Sequence, residues 1–217
     1  MAAAVAGQRT RAGKILARLE RAYPNAAIAL RFTTTLELLM ATILAAQCTD
    51  ERVNQVTVSL FKKYRTAKDY AEAKPEVLEE EIHSTGFYKA KARSIIGAAR
   101  RLDERGGEVP RTLEELVKLP GVGRKTANVV LGNAFGQQAI AVDTHVFRVS
   151  RRLGLAKSMN PDEVEAQLRE ALPRSKWTRS CHLFQAHGRA TCHARRPDCP
   201  HCSIRALCLW PEKTPAS

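Results

Sequence analysis

The sequence predicts an all-α protein, and three observations carry that prediction. Ala, Leu, Arg and Glu dominate the 217 residues, and all four favour helices or tolerate them well. Apolar residues recur at helical spacing between Ser/Thr/Asp/Asn starts and Pro or Gly stops. No hairpin turn joins two alternating apolar–polar runs, so no pair of strands is written in the chain. The length is enough for a real core, as one large domain or two small ones.

The elements follow in order. Met1–Lys14 is rich in Ala, Arg and Gly and reads as a frayed tail; it lacks the apolar centre of a signal peptide, which leads to the expectation of a cytoplasmic protein. Lys14-Ile15-Leu16-Ala17-Arg18-Leu19 begins a short amphipathic helix that stops before Pro24. Thr34 and Glu37 form a capping-box pattern ahead of Leu36–Ala46. That stretch is apolar on nearly every face, so it is a buried helix and the centre of its domain. Gln47-Cys48-Thr49-Asp50 breaks the pattern, and Asp50 is the expected cap of a helix with Val53, Val56, Leu60 and Phe61 on one face. Pro75 starts another helix, ending at Gly86. Lys89–Arg105 is a long basic helix closed by Gly106-Gly107, and Thr112 with Glu115 makes a second capping box. Three segments close the helical part: Thr144–Leu153, Pro161–Leu172 with Asn160 as its cap, and Lys176–Ala190.

The charge balance narrows the partners. Lys and Arg number 35 against 22 Asp and Glu, a net +13. Such an excess suits a polyanion, and nucleic acid is the commonest. A basic surface with no special partner is the alternative. No apolar run is long enough to span a membrane, and nothing calls for a partner subunit, so the chain is expected to act as a monomer.

Leu119-Pro120-Gly121-Val122-Gly123-Arg124-Lys125-Thr126-Ala127-Asn128 forms a tight turn between two helical patterns, Leu113–Lys118 and Arg124–Phe135. The glycines leave the backbone bare, so the amides of Gly121, Val122 and Gly123 can approach an anion at a helix N-terminus. Lys125 falls in the first turn of that helix, where the dipole disfavours a cation. A lysine set against the local electrostatics asks for a chemical reason. Asp143 follows in Val142-Asp143-Thr144-His145 and is also a plain N-cap candidate.

Cys192, Cys199, Cys202 and Cys208 follow the spacing C-x6-C-x2-C-x5-C. Without a secretory signal, such packing points to metal rather than disulfides. Zinc sites usually pair two short C-x2-C or H-x3-H units across a longer span. One short pair flanked by two outlying cysteines suits the corners of a [4Fe–4S] cluster better, with zinc as the alternative. Cys48 and Cys181 are left over and read as buried small apolar residues. Arg195 and Arg196 sit between the first two thiols and offer two guanidiniums to phosphates, or form a solvated charged loop.

The hairpin with Lys125 and Asp143, together with the cysteine spacing, resembles the endonuclease III family of DNA glycosylase/AP lyases, and the likeness covers nearly the whole chain. The resemblance implies a discontinuous two-lobe plan: residues 27–137 as a six-helix bundle, and 1–26 with 138–217 as an iron–sulfur lobe, the active cleft between them. It implies that Lys125 is the nucleophile and Asp143 its assistant, in a bifunctional enzyme removing oxidised pyrimidines from duplex DNA and cleaving 3′ of the abasic site by β-elimination. An enzyme acting on a base inside a duplex must extrude it and fill the hole. The resemblance places Gln47 and Phe87 as plug and wedge; Phe87 can equally close a helix C-terminus. His145 stands as a phosphate donor, a support for Asp143, or an ordinary surface histidine. Two alternatives are an adenine-mismatch glycosylase, whose relatives lack the hairpin lysine, and a non-catalytic helix–hairpin–helix DNA-binding module with a structural metal.

Overall fold

The computed structural model describes residues 2–215, with side chains from Gly7 onward. Among the described residues there are eleven α-helices and no strand. In chain order they are α1 (Ala2–Ala22), α2 (Thr35–Leu44), α3 (Asp50–Lys63), α4 (Ala67–Ala71), α5 (Pro75–Glu81), α6 (Tyr88–Asp103), α7 (Leu113–Leu116), α8 (Arg124–Ala134), α9 (Thr144–Arg152), α10 (Pro161–Ala171) and α11 (Trp177–Ala190). The chain divides into two compact units, Ile28–Gln137 and Met1–Ala27 with Gln138–Ser217.

In the first of these units α2 is the pivot. Thr34 accepts from the Glu37 amide at 3.1 Å, while the Glu37 carboxylate accepts from the Thr34 amide at 3.3 Å, a reciprocal cap. Leu38, Leu39, Met40 and Leu44 are all fully buried, and α2 packs on α3, α6 and α8. Truncating any one of those side chains to alanine would cost about 2–5 kcal/mol, because the neighbours relax only partly into the cavity. The cap of α3 is Thr49 rather than Asp50. The Thr49 backbone is extended and its hydroxyl accepts from the Arg52 amide at 3.2 Å; Asp50 is the first helical residue, where a carboxylate favours the dipole. Helix α4, absent from the sequence reading, is started by the same reciprocal device, with Thr66 and Asp69. At α7 the box is half-made: Thr112 accepts from the Glu115 amide, but the Glu115 carboxylate binds the Thr112 hydroxyl and the Arg105 guanidinium instead.

The second unit corrects the reading of the N-terminus. Helix α1 runs from Ala2, not from Lys14; Met1 lies outside the described residues. Alanine and arginine favour the helix on their own, and the rest of the unit pins it. Arg11 donates to the carbonyls of Gly154 and Leu207, at 3.2 and 3.0 Å, Gln8 to that of Leu155, and Ala12 is fully buried. Ile15 and Leu19 of α1 join Val146, Val149, Val164, Leu168, Leu183 and Phe184 in one core. Asn160 caps α10 by accepting from the Asp162 and Glu163 amides, with Pro161 at its first position. No helix among the described residues is long and apolar enough to cross a membrane.

Candidate active site

The hairpin is built on α6. Gly121 has φ +77°, a left-handed backbone that favours glycine, and a β-carbon there would stand 2.6 Å from Cβ of Ser94. Pro120 lies against Gly97, whose missing side chain makes the room. The turn closes with the Val122 amide donating to Leu119 O at 3.1 Å, while Leu119 and Val122 are buried beneath it. Gly123 is the N-cap of α8, and no side chain caps it. A β-carbon at Gly123 would meet nothing within 4 Å. The outer face of the turn is therefore bare backbone at the positive end of an eleven-residue helix, a ready anion site. Lys125, in the first turn of α8, is exposed.

In the other unit, Asp143 is the N-cap of α9. Its Oδ1 accepts from the Val146 amide at 2.7 Å and its Oδ2 from Gln185 Nε2, on α11, at 3.0 Å. Both oxygens are thus held and the carboxylate plane is fixed. Gln185 escaped the sequence reading, since one glutamine in a helix carries no signal. His145 packs on α11 where Gly188 leaves space: a β-carbon at Gly188 would lie 2.9 Å from the His145 ring. Burial pushes the His145 pKa down, which favours the neutral ring, and its Nδ1 meets Arg148 Nη2 at 3.1 Å.

Gln47 and Phe87 share a property that no motif announced. Among the described residues they are the two non-glycine positions with positive φ, 51° and 47°. Such backbone costs roughly 1–3 kcal/mol per residue and persists only where the surroundings hold it. Phe87 is 64% exposed, and Gln47 is exposed as well.

Cys192, Cys199, Cys202 and Cys208 line one small cavity with Val149, Leu153 and Ile204. Arg152 donates to Cys192 Sγ at 3.3 Å and to the carbonyls of His193 and Ala194. His187 Nε2 lies 3.7 Å from Cys202 Sγ, and its Nδ1 meets the Tyr23 hydroxyl at 3.1 Å; burial pushes that imidazole down to about 4, so it is neutral at pH 7. Burial also pushes the Cys202 and Cys208 thiols up. Among the described residues no three His, Cys, Asp or Glu side chains form a group that could hold a single metal ion. Arg195 and Arg196 are exposed on the loop between the first two thiols. Of the two remaining cysteines, Cys181 is buried with its thiol pushed up to about 12. Cys48, which follows the left-handed Gln47, is only half-buried, against expectation.

Residues 40–174 match the HhH-GPD superfamily base excision DNA repair protein family. The chain belongs to that superfamily and, within it, to the endonuclease III family. It is 49% identical to Endonuclease III of Synechocystis sp. over 207 residues, 94% of each chain. Two solved structures, a non-covalent Endonuclease III–DNA complex and a trapped Endonuclease III–DNA covalent intermediate, each superpose with a TM-score of 0.88 at 46% identity. Each match covers 93% of this chain and 95% of the other.

Proposed function

We propose that the chain is a bifunctional DNA glycosylase and abasic-site lyase that removes oxidised pyrimidines from duplex DNA. One observation carries the reading. Over 93% of its length the chain is similar to an Endonuclease III captured in a covalent complex with DNA, and it has a lysine in the first turn after the anion-binding hairpin.

The chemistry follows from the residues. Lys125 stands exposed in the free chain, so its amine is open to the sugar of an extruded nucleotide. Its Nζ attacks C1′ of the extruded nucleotide, and the base departs with the electrons of the C1′–N bond and a proton. The nitrogen lone pair on C1′ then expels O4′, which takes a proton as the sugar ring opens, and the Schiff base so formed makes the C2′ proton acidic. Loss of that proton forms a C2′–C3′ double bond and expels the 3′ phosphate; water then releases the lysine. Asp143, oriented by the Val146 amide and by Gln185, stabilises positive charge on the sugar as the base leaves and assists proton transfer from Lys125.

The hairpin amides of Gly121, Val122 and Gly123 hold a backbone phosphate, and Arg195 and Arg196 hold others. Gln47 and Phe87 fill the hole left by the extruded nucleotide, and His145 supports Asp143 from the same helix. Cys192, Cys199, Cys202 and Cys208 hold a [4Fe–4S] cluster. Four thiols on the walls of one cavity, with an Arg152 N–H directed at Cys192 Sγ, are a donor set that fits it. Bound there, the cluster would cross-link a segment whose only regular structure among the described residues is one short 3-10 turn, Arg205–Leu207. The protein acts as a single chain in the cytoplasm, where the chromosome lies.

Product analysis tests the reading. Duplexes carrying thymine glycol or 5-hydroxycytosine should release the base and be cut 3′ of the site, and a pre-formed abasic site should be cut without excision. Base release from adenine opposite 8-oxoguanine, with no strand cleavage, would contradict it.

A further inference from the structure

Lys91 is a lysine in the wrong place for a basic helix face. It is 5% exposed and lies on the buried stripe of α6 with Ala92, Ile95, Ile96, Ala99 and Leu102. Its Nζ donates to the Thr85 carbonyl at 2.8 Å. An ammonium taken out of water is costly unless something is gained by its hydrogen bonds. No carboxylate acts on it. Burial lowers its pKa.

The carbonyl it holds is at a junction. Thr85 ends the 3-10 turn His83–Thr85, Gly86 follows with φ +71°, and Phe87 comes next in the left-handed region. The turn has other ties: the Thr85 hydroxyl donates to Ile82 O at 2.8 Å, the Gly86 amide to His83 O, and the Lys91 amide to Phe87 O. The His83 and Tyr88 rings lie against each other across it, centroids 4.4 Å apart. Helix α3, which follows Gln47-Cys48-Thr49, packs on the same 3-10 turn. Lys91 thus bonds to the turn that carries Phe87, and that turn packs on the helix that follows Gln47.

We propose that Lys91 is a positioning residue. Its buried ammonium, bonded to the Thr85 carbonyl, presets the turn that presents Phe87 before DNA arrives. This rests on the assignment of Phe87 to the hole in the duplex. A preset turn contributes because the ordering is complete before binding, and a shift of about 1 Å at such a residue can cost about a hundredfold in rate. Thermodynamically Lys91 acts on base extrusion, not on the chemistry at C1′.

The test uses Lys91→Met, which keeps length but cannot donate, Lys91→Arg, which keeps the charge, and Phe87→Ala as the reference. Single-turnover excision of thymine glycol, cleavage of a pre-formed abasic site, fluorescence of 2-aminopurine opposite the lesion, and amide exchange at Gly86 and Phe87 are read in each. Lys91→Met should slow excision about ten- to a hundredfold, leave abasic cleavage within about twofold, lose the fluorescence rise and speed exchange at Gly86 and Phe87 but not at Ile95. Lys91→Arg should recover most of the excision rate. Equal losses on both substrates, or wild-type exchange at Gly86 and Phe87, would overturn the inference. If Phe87→Ala excises normally, the assignment of Phe87 fails; the exchange data then still decide whether Lys91 fixes the turn. Should Lys91→Met not fold, Lys91→Arg decides: near wild-type excision with wild-type exchange at Gly86 and Phe87 sustains the role of the charge, and slow excision rejects it.

Discussion

The hairpin at residues 119–125 and the cysteine segment at 192–208 are held in opposite ways. The hairpin is shaped by packing: Leu116, Leu119 and Val122 are buried under it, and its glycines fit against Ser94 and open space. The cysteine segment is held from outside by side chains. Arg148 donates to the Cys192 carbonyl, Arg152 to His193 and Ala194, Arg11 to Leu207, and Thr214 to Pro197. A turn made by apolar burial exists without its ligand. A segment without an α-helix of its own, carrying four thiols around a cavity, depends on what the thiols bind. The catalytic chemistry is proposed for the first kind of structure and the cofactor for the second.

The largest expected effect breaks the dependent region. Cys202→Ser should yield colourless protein with little iron, poorly folded in the unit that carries α9–α11, because cofactor binding and folding are coupled there. Wild-type protein should be yellow-brown with about four irons per chain, the stoichiometry of a [4Fe–4S] cluster. Iron analysis and circular dichroism check both; one zinc per wild-type chain would replace the cluster assignment with zinc.

A smaller effect sharpens the other side. Gly121→Ala combines φ +77° with a 2.6 Å approach to Ser94 and should destabilise by roughly 1–3 kcal/mol. Gly123→Ala has open space around it and should cost about 1 kcal/mol or less, yet weaken duplex binding, because the methyl group stands where a phosphate would approach. Melting curves and binding titrations on the pair separate fold from contact. Equal binding by wild type and Gly123→Ala would remove the phosphate from the hairpin.

What the sequence made legible was local. The Thr34–Glu37 cap, Pro75, Asn160-Pro161 and the glycine hairpin all act within four residues, and each occurs where the spacing placed it. What it hid was long-range. The part of α1 before Lys14 looked like a tail because its partners are carbonyls near Leu155 and Leu207. Gln185 reaches Asp143 only through the packing of α11 on α9. Helix α4 was missed for another reason: five residues are too few for periodicity, and its cap pairs Thr66 with Asp69 where Glu or Gln is usual. Lys91 was legible in principle, since it falls four residues before Ile95 on the apolar stripe, but a basic helix invites reading every lysine as surface.

Whether Lys125 is the nucleophile can be read out chemically. Borohydride added to the protein with abasic or thymine-glycol duplex should trap a covalent adduct, and peptide mapping should locate the DNA on Lys125. Lys125→Gln should abolish both trapping and strand cleavage while still binding the duplex, since the hairpin amides are untouched. An adduct that persists in Lys125→Gln and maps to another amine would contradict the account.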